Sequence, residues 1–170
     1  MGFLLILLVS CAGVSKSELT RAKTIAISKE QFAANPFGFD LTLPDFENRY
    51  YRKALKRRRY FIENVINSAQ TDTIYHYYRR KTKILFYKPM HLEARIMGGT
   101  IRTPEVELRN GIRAGLSRKE FFWKFTDWVY DESDSLTIES PATGCTFTFI
   151  FKRDNIREIQ IASKMMKSRN

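Results

Sequence analysis

The chain has few of the residues that carry chemistry in enzymes. Its 170 residues include only two cysteines and two histidines. It lacks a phosphate-binding P-loop, a dinucleotide-binding G-x-G-x-x-G, a zinc-binding H-E-x-x-H and a G-x-S-x-G nucleophile motif. No reaction class is therefore indicated, and we predict no catalytic residue, no metal ligand and no cofactor. Acidic residues could still converge in the folded chain, so an envelope hydrolase stays an alternative.

Long hydrophobic runs are also missing. Phe3 to Val9 is the only almost purely aliphatic run, and a membrane-spanning helix needs roughly 20 apolar residues. The run has the length of the hydrophobic part of an export signal, and small residues follow it at positions 10 to 13. A signal peptide over residues 1–10 is therefore our first interpretation. An ordinary secretion signal and a buried first strand are the alternatives.

The segment Leu8-Val9-Ser10-Cys11 resembles the lipobox of bacterial lipoproteins. This resemblance implies that Cys11 is diacylated and becomes the mature N-terminus, with residues 11–21 forming the lipidated cysteine and a polar tether. The protein would then be lipid-anchored in the cell envelope, with the outer membrane as the expected membrane. The sequence departs from the pattern at Met1-Gly2, where Lys or Arg is usual.

Cysteine is too scarce for a disulfide if Cys11 carries lipid. Cys145 begins the alternating segment CTFTFIFK, which is typical of a half-buried strand. Neither histidine is near Cys145 in the sequence, and a reactive thiol needs such activation. We therefore predict that Cys145 is a small buried side chain.

Acidic residues are outnumbered, with 18 Asp and Glu against 29 Lys and Arg, which gives a net charge of +11. Such a surplus predicts an anionic partner. An export signal removes nucleic acid from the compartment and leaves anionic lipid, lipopolysaccharide phosphates or an acidic envelope protein. A basic nucleic-acid-binding protein is the alternative if the N-terminus is not an export signal.

Most of the excess charge lies in two clusters. Apolar residues recur at three- and four-residue spacing over residues 43–70, which predicts a long amphipathic helix with a basic face. A solvated helix face without a partner is the alternative for this charge. The residues proposed to bind an anionic surface or partner are Arg49, Arg52, Lys53, Lys56, Arg57, Arg58 and Arg59 in the first cluster and Arg79, Arg80 and Lys81 in the second.

Two passages of the chain follow a similar order. Ser28 and Ser117 each begin an S-x-x-[EQ] capping box, which marks a helix start. Three strand-like segments follow each box: residues 72–74, 83–88 and 92–96 in the first passage, and 134–136, 147–152 and 157–161 in the second. We predict an α+β fold with helices on one face of an antiparallel sheet. It would consist of two units, 22–100 with a basic-helix insertion and 101–170, as tandem (α)αβββ repeats sharing one sheet.

Two details of these units are also predicted. The second-unit helix should run from Arg118 to about Trp128, with Trp123 and Trp128 in the core. Gly98-Gly99 should form a turn after the third strand.

The run from Asn110 to Glu120, NGIRAGLSRKE, resembles the helix entry of small Gram-negative envelope lipoproteins. It is similar to the outer-membrane-assembly (SmpA/OmlA-like) lipoproteins and to β-lactamase-inhibitor-like domains, in which helices pack on one face of an antiparallel sheet. The resemblance implies binding or scaffolding rather than catalysis, and it assigns no functional residue. A membrane-anchored lipoprotein with a non-catalytic binding role is therefore the function that the sequence favours.

Overall fold

The computed structural model describes residues 25–64 and 66–163. Cys11 and the predicted signal peptide lie outside the described residues. The elements in chain order are α1 (Lys29–Ala34), α2 (Leu43–Tyr50), β1 (Lys56–Glu63), β2 (Thr71–Arg79), β3 (Thr82–Lys88), β4 (Arg95–Ile101), a 3₁₀ turn (Arg109–Gly111), α3 (Arg118–Phe122), β5 (Ser135–Ser140), β6 (Cys145–Lys152) and β7 (Asn155–Ser163).

The helices begin where the sequence predicts. Ser28 caps α1, accepting a hydrogen bond from the Gln31 amide at 3.1 Å, while the Gln31 side chain accepts from the Ser28 amide at 3.0 Å. Ser117 and Glu120 form the same reciprocal pair at the start of α3. Both capping boxes are confirmed, because each satisfies amides that have no partner inside the helix.

All seven strands form one antiparallel sheet in the order β1-β2-β3-β4-β7-β6-β5. The pairing of β4 with β7 joins the first four strands to the last three. Because every neighbouring pair is antiparallel, the starts of β1, β3, β5 and β7 lie at the same end of the sheet. The β2–β3 and β6–β7 turns lie at that end too.

The helices cover one face of this sheet, which confirms the predicted α+β architecture. Phe32 of α1 packs edge-on against Phe147 of β6 at 5.9 Å between ring centres. Phe46 of α2 packs on Phe86 of β3 at 4.8 Å, and Phe121 of α3 contacts the same sheet face. The core is therefore largely aromatic, and such pairs contribute about 0.5–1.5 kcal/mol each beyond the area they bury.

Alternation along β6 places Cys145 in this core, where it is fully buried, as predicted. Burial raises the pKa of its thiol, so the protonated form is favoured. Cys145 is thus a core residue.

The predicted helix over residues 43–70 is wrong. The helix ends at Tyr50, and Arg52 adopts a left-handed φ of 65° in the turn that follows. Residues 56–63 then form β1, which pairs with β2 from Lys56 opposite Tyr78 to Glu63 opposite Thr71. Pairing with a neighbouring strand outweighs the helical spacing here, and the YFI segment at 60–62 favours a strand.

Three smaller predictions are also corrected. Helix α3 ends at Phe122 instead of continuing to Trp128. Trp123 is 63% exposed and lies outside the core, whereas Trp128 packs against the core as predicted. The strand expected at 92–96 runs from Arg95 to Ile101, so Gly98 and Gly99 lie inside β4 and form no turn.

The tandem repeat is not confirmed. In the described part of the chain, two helices and four strands precede the 3₁₀ turn, whereas one helix and three strands follow it. Within residues 25–64 and 66–163, none of the helices is long and apolar enough to cross a membrane.

Candidate anion-binding site

The two basic clusters of the sequence meet at one end of the sheet. The register places Lys56, the first residue of β1, opposite Tyr78, and Arg79 opposite Thr82. The α2–β1 turn and the β2–β3 turn therefore lie side by side. We call the surface formed by Arg52, Lys53, Lys56, Arg80 and Lys81 the basic end.

Two arginines predicted to bind a partner pair with carboxylates of the same chain. The Arg57 guanidinium donates to Glu47 at 2.5 Å, and its charge also lies 4.5 Å from the centre of the Tyr51 ring. Arg79 pairs with Glu105 at 3.3 Å. These pairs join α2 and the segment after β4 to the sheet, and each carboxylate offsets the charge of its arginine.

The five residues of the basic end have no carboxylate within ion-pair distance in the described part of the chain, and all five are exposed. The Lys53 ammonium donates to the Asn48 carbonyl at 2.9 Å, which orients its stem without cancelling its charge. The Arg52 guanidinium lies 5.4 Å from the centre of the Tyr51 ring, and the neighbouring Arg52 side chain lowers the pKa of Tyr51. The basic end is thus a concentration of like charge that the fold leaves uncompensated.

The remaining predicted residues do not join this surface in the same way. Arg49 lies on α2, with its guanidinium 5.3 Å from the Phe39 ring centre. Arg59 points to the helix-covered side of β1. It lies opposite Tyr75, which is two residues from the buried Tyr77 and so points to the same face of the sheet. Arg58 points to the opposite, helix-free side and lies over the Tyr78 ring at 5.1 Å.

A shallow groove of about 480 Å³ opens on the helix-free face next to the basic end. It is lined by His76, Tyr78, Arg80, Lys81, Thr82, Lys83, Thr100 and Arg102. The lining contains no carboxylate side chain. The lining residues not proposed from the sequence are His76 and Tyr78 of β2, Thr82 of β3, Thr100 of β4 and Arg102 after β4. The cross-strand register of Lys83 with Tyr78 and Thr100 brings these strands together.

His76 is the histidine of this groove. Its ring packs between Tyr60, at 6.4 Å, and Tyr78, at 5.2 Å between ring centres. Its Nε2 atom is buried and has no hydrogen-bond partner among the described residues. Desolvation lowers the pKa of His76, and the charges of Arg58 and Lys83 lower it further.

Acidic residues are arranged differently. The part of the chain that the structure describes holds no group of three or more His, Cys, Asp or Glu side chains that could bind a metal ion. Glu30 and Glu139 both line an open groove of about 620 Å³ between α1 and β5, together with Lys29 and several apolar side chains. These are the acids that a hydrolytic alternative would use.

Comparison of the chain with protein-family models, with curated proteins and with solved structures finds no match.

Proposed function

We propose that this protein is a cell-envelope lipoprotein, anchored through lipid on Cys11, whose folded domain binds an anionic surface and carries out no reaction. The lipobox-like segment supports the anchor. The uncompensated charge of the basic end supports the binding role. The anionic headgroups of the membrane that holds the anchor are the surface nearest to the domain.

The observation that carries this proposal is the meeting of the two clusters at one end of the sheet. A basic residue near an anionic lipid surface contributes about 1 kcal/mol. Arg52 and Lys53 come from the α2–β1 turn, Lys56 begins β1, and Arg80 and Lys81 form the β2–β3 turn. Five such residues on one surface would together hold a tethered domain against a bilayer, whereas the same residues spread over a surface would not.

Labelling with a palmitate analogue tests the anchor. The full chain expressed in a Gram-negative host should incorporate the label, and Cys11→Ala should abolish incorporation. The core cysteine gives a matched control, because Cys145→Ala should leave labelling unchanged. Label that persists in Cys11→Ala would contradict the anchor.

Vesicle binding tests the docking role separately. The full chain carrying Cys11→Ser should bind vesicles that contain phosphatidylglycerol more strongly than vesicles of phosphatidylcholine alone. Surface charges are screened over about 10 Å at 0.1 M salt. The difference should therefore shrink as salt rises from about 0.02 to 0.5 M. Equal binding to both kinds of vesicle would overturn the docking role.

An envelope hydrolase is the competing proposal, and the shared groove of Glu30 and Glu139 favours it. A hydrolase of this kind needs both carboxylates. Purified protein would then cleave a glycan substrate, and Glu139→Gln would abolish the cleavage. The nucleic-acid alternative requires the N-terminus to stay intact, so an intact mass that begins at a modified Cys11 would reject it.

A further inference from the structure

The groove on the helix-free face differs from the basic end in composition. The groove shares Arg80 and Lys81 with the basic end, and it adds hydroxyl groups and an aromatic wall of its own. Lys83 projects from β3 between Tyr78 on one side and Thr100 on the other. No carboxylate within ion-pair distance neutralises Lys83 within residues 25–64 and 66–163.

Arg102 completes the groove from the end of β4. Glu158 of β7 pairs with the Arg102 guanidinium. The Arg102 backbone amide donates to the Thr82 hydroxyl at 2.8 Å. These two contacts fix the arginine in place. A guanidinium held by one carboxylate keeps further N–H donors for a second acceptor.

His76 supplies a donor that the fold leaves unused. Its buried Nε2 atom has no hydrogen-bond partner among the described residues, whereas buried polar atoms are normally hydrogen-bonded. The charged groups that face it or share its groove are all cationic: Arg58 from β1, Lys83 from β3, Arg80 and Lys81 from the β2–β3 turn, and Arg102 after β4. A bound anion would accept a hydrogen bond from an Nε2–H group and offset the repulsion between these cations.

We propose that this groove is a binding site for a phosphate group, with Lys83 and Arg102 as its charged ligands and His76 as a hydrogen-bond donor. This inference rests on the proposed function, binding to an anionic surface, and names a phosphate group as the anion bound in the groove beside the basic end. A phosphate offers several acceptor oxygens and about two negative charges, which matches a group of cationic donors whose one paired carboxylate among the described residues is Glu158, on Arg102. The group could belong to a lipid headgroup or to free phosphate, and the test separates the two.

The test is an NMR titration of the full chain carrying Cys11→Ser with inorganic phosphate, with sodium chloride at equal ionic strength as the reference. Phosphate should shift the His76 ring signals saturably where chloride does not, and it should raise the pKa of His76 because the anion favours the protonated ring. Lys83→Gln should weaken phosphate binding about two- to fivefold, since an exposed ion pair contributes up to about 1 kcal/mol. Lys88→Gln, the same change at the far end of the same strand, should leave the affinity unchanged.

Equal responses to phosphate and chloride, or equal effects of the two variants, would overturn the proposal. Vesicles containing phosphatidic acid identify the source. Their displacement by inorganic phosphate indicates a headgroup ligand, and saturable phosphate binding with no competition by these vesicles indicates free phosphate. The two proposals fail separately: vesicle binding that survives without a His76 response leaves the docking role and removes the groove site. A His76 response to phosphate without vesicle binding keeps the groove site and removes the docking role.

Discussion

At the scale of single residues, Glu47 joins α2 to the sheet. Its carboxylate accepts hydrogen bonds from the Arg57 guanidinium and from the hydroxyl of the fully buried Tyr77. Burial raises the pKa of Tyr77, and the neighbouring carboxylate raises it further. Deprotonation of Tyr77 in the folded protein would place two negative charges against each other in a buried site, so the fold favours the neutral phenol.

This arrangement predicts a loss of stability in alkaline solution. The phenol of an unfolded chain ionises near pH 10, but folded Tyr77 stays neutral there. Its contribution is therefore fully present below about pH 10 and is lost as the pH rises from there through the folded pKa. Urea unfolding at pH 8 and pH 10.5 should show a smaller drop in Tyr77→Phe than in the parent protein.

Tyr130→Phe is the matched control, because Tyr130 is 51% exposed. It should show the same alkaline drop as the parent protein. An equal drop in Tyr77→Phe would mean that the Glu47 contact does not couple folding to pH.

Residue patterns also set how much of the site could be predicted. The basic residues are evident from composition, but their partners are not, because Glu105 lies 26 positions after Arg79 in the chain. A sequence shows the charge of Arg57 and Arg79 without showing that the fold offsets it. The aromatic partners of His76 likewise depend on strand pairing, since Tyr60 comes from the neighbouring strand.

At the scale of elements, the close approach of β3 and β4 depends on Gly99. A Cβ atom at this position would lie 2.4 Å from the Lys83 carbonyl oxygen and 3.0 Å from the Ile84 Cα atom. Both are backbone atoms of β3, so they cannot turn away as a flexible side chain could. The strand therefore needs a residue without a side chain here.

Gly99→Ala should destabilise the protein by about 1–3 kcal/mol, the usual cost of overpacking. Chemical denaturation should detect this as a lower midpoint with an unchanged slope. Gly144→Ala is a useful comparison, because Gly144 has a φ of +64° but no neighbouring atom within 4 Å. It should cost about 1–2 kcal/mol from backbone conformation alone. A Gly99→Ala protein as stable as the parent would contradict the close packing of β3 against β4.

The elements differ in how well the sequence predicts them. Strands β5, β6 and β7 follow from alternation and from short turns at 141–144 and 153–154, which are local signals. Strand β1 was missed because its apolar residues fit a helical period and because its pairing with β2 is a tertiary contact. The capping boxes were found because each satisfies its hydrogen bonds within four residues.

At the scale of the whole molecule, the antiparallel sheet places the basic α2–β1 and β2–β3 turns at one end. The other end has fewer basic residues. Lys88 at the end of β3 and Arg95 at the start of β4 are exposed at that far end. The distribution of charge, more than its total, is what the docking proposal requires. A protein with the same net charge spread evenly would bind an anionic surface without a preferred orientation.

The most direct test compares two double variants with equal change in charge: Arg80→Gln/Lys81→Gln at the basic end and Lys88→Gln/Arg95→Gln at the far end. Each is made in the full chain carrying Cys11→Ser and is measured by co-sedimentation with phosphatidylglycerol vesicles at low salt. At about 1 kcal/mol per residue, the basic-end variant should lose about 2 kcal/mol, or roughly 30-fold in affinity, while the far-end variant binds like the parent protein. Equal losses in the two variants would show that only net charge matters and would contradict the proposed docking surface.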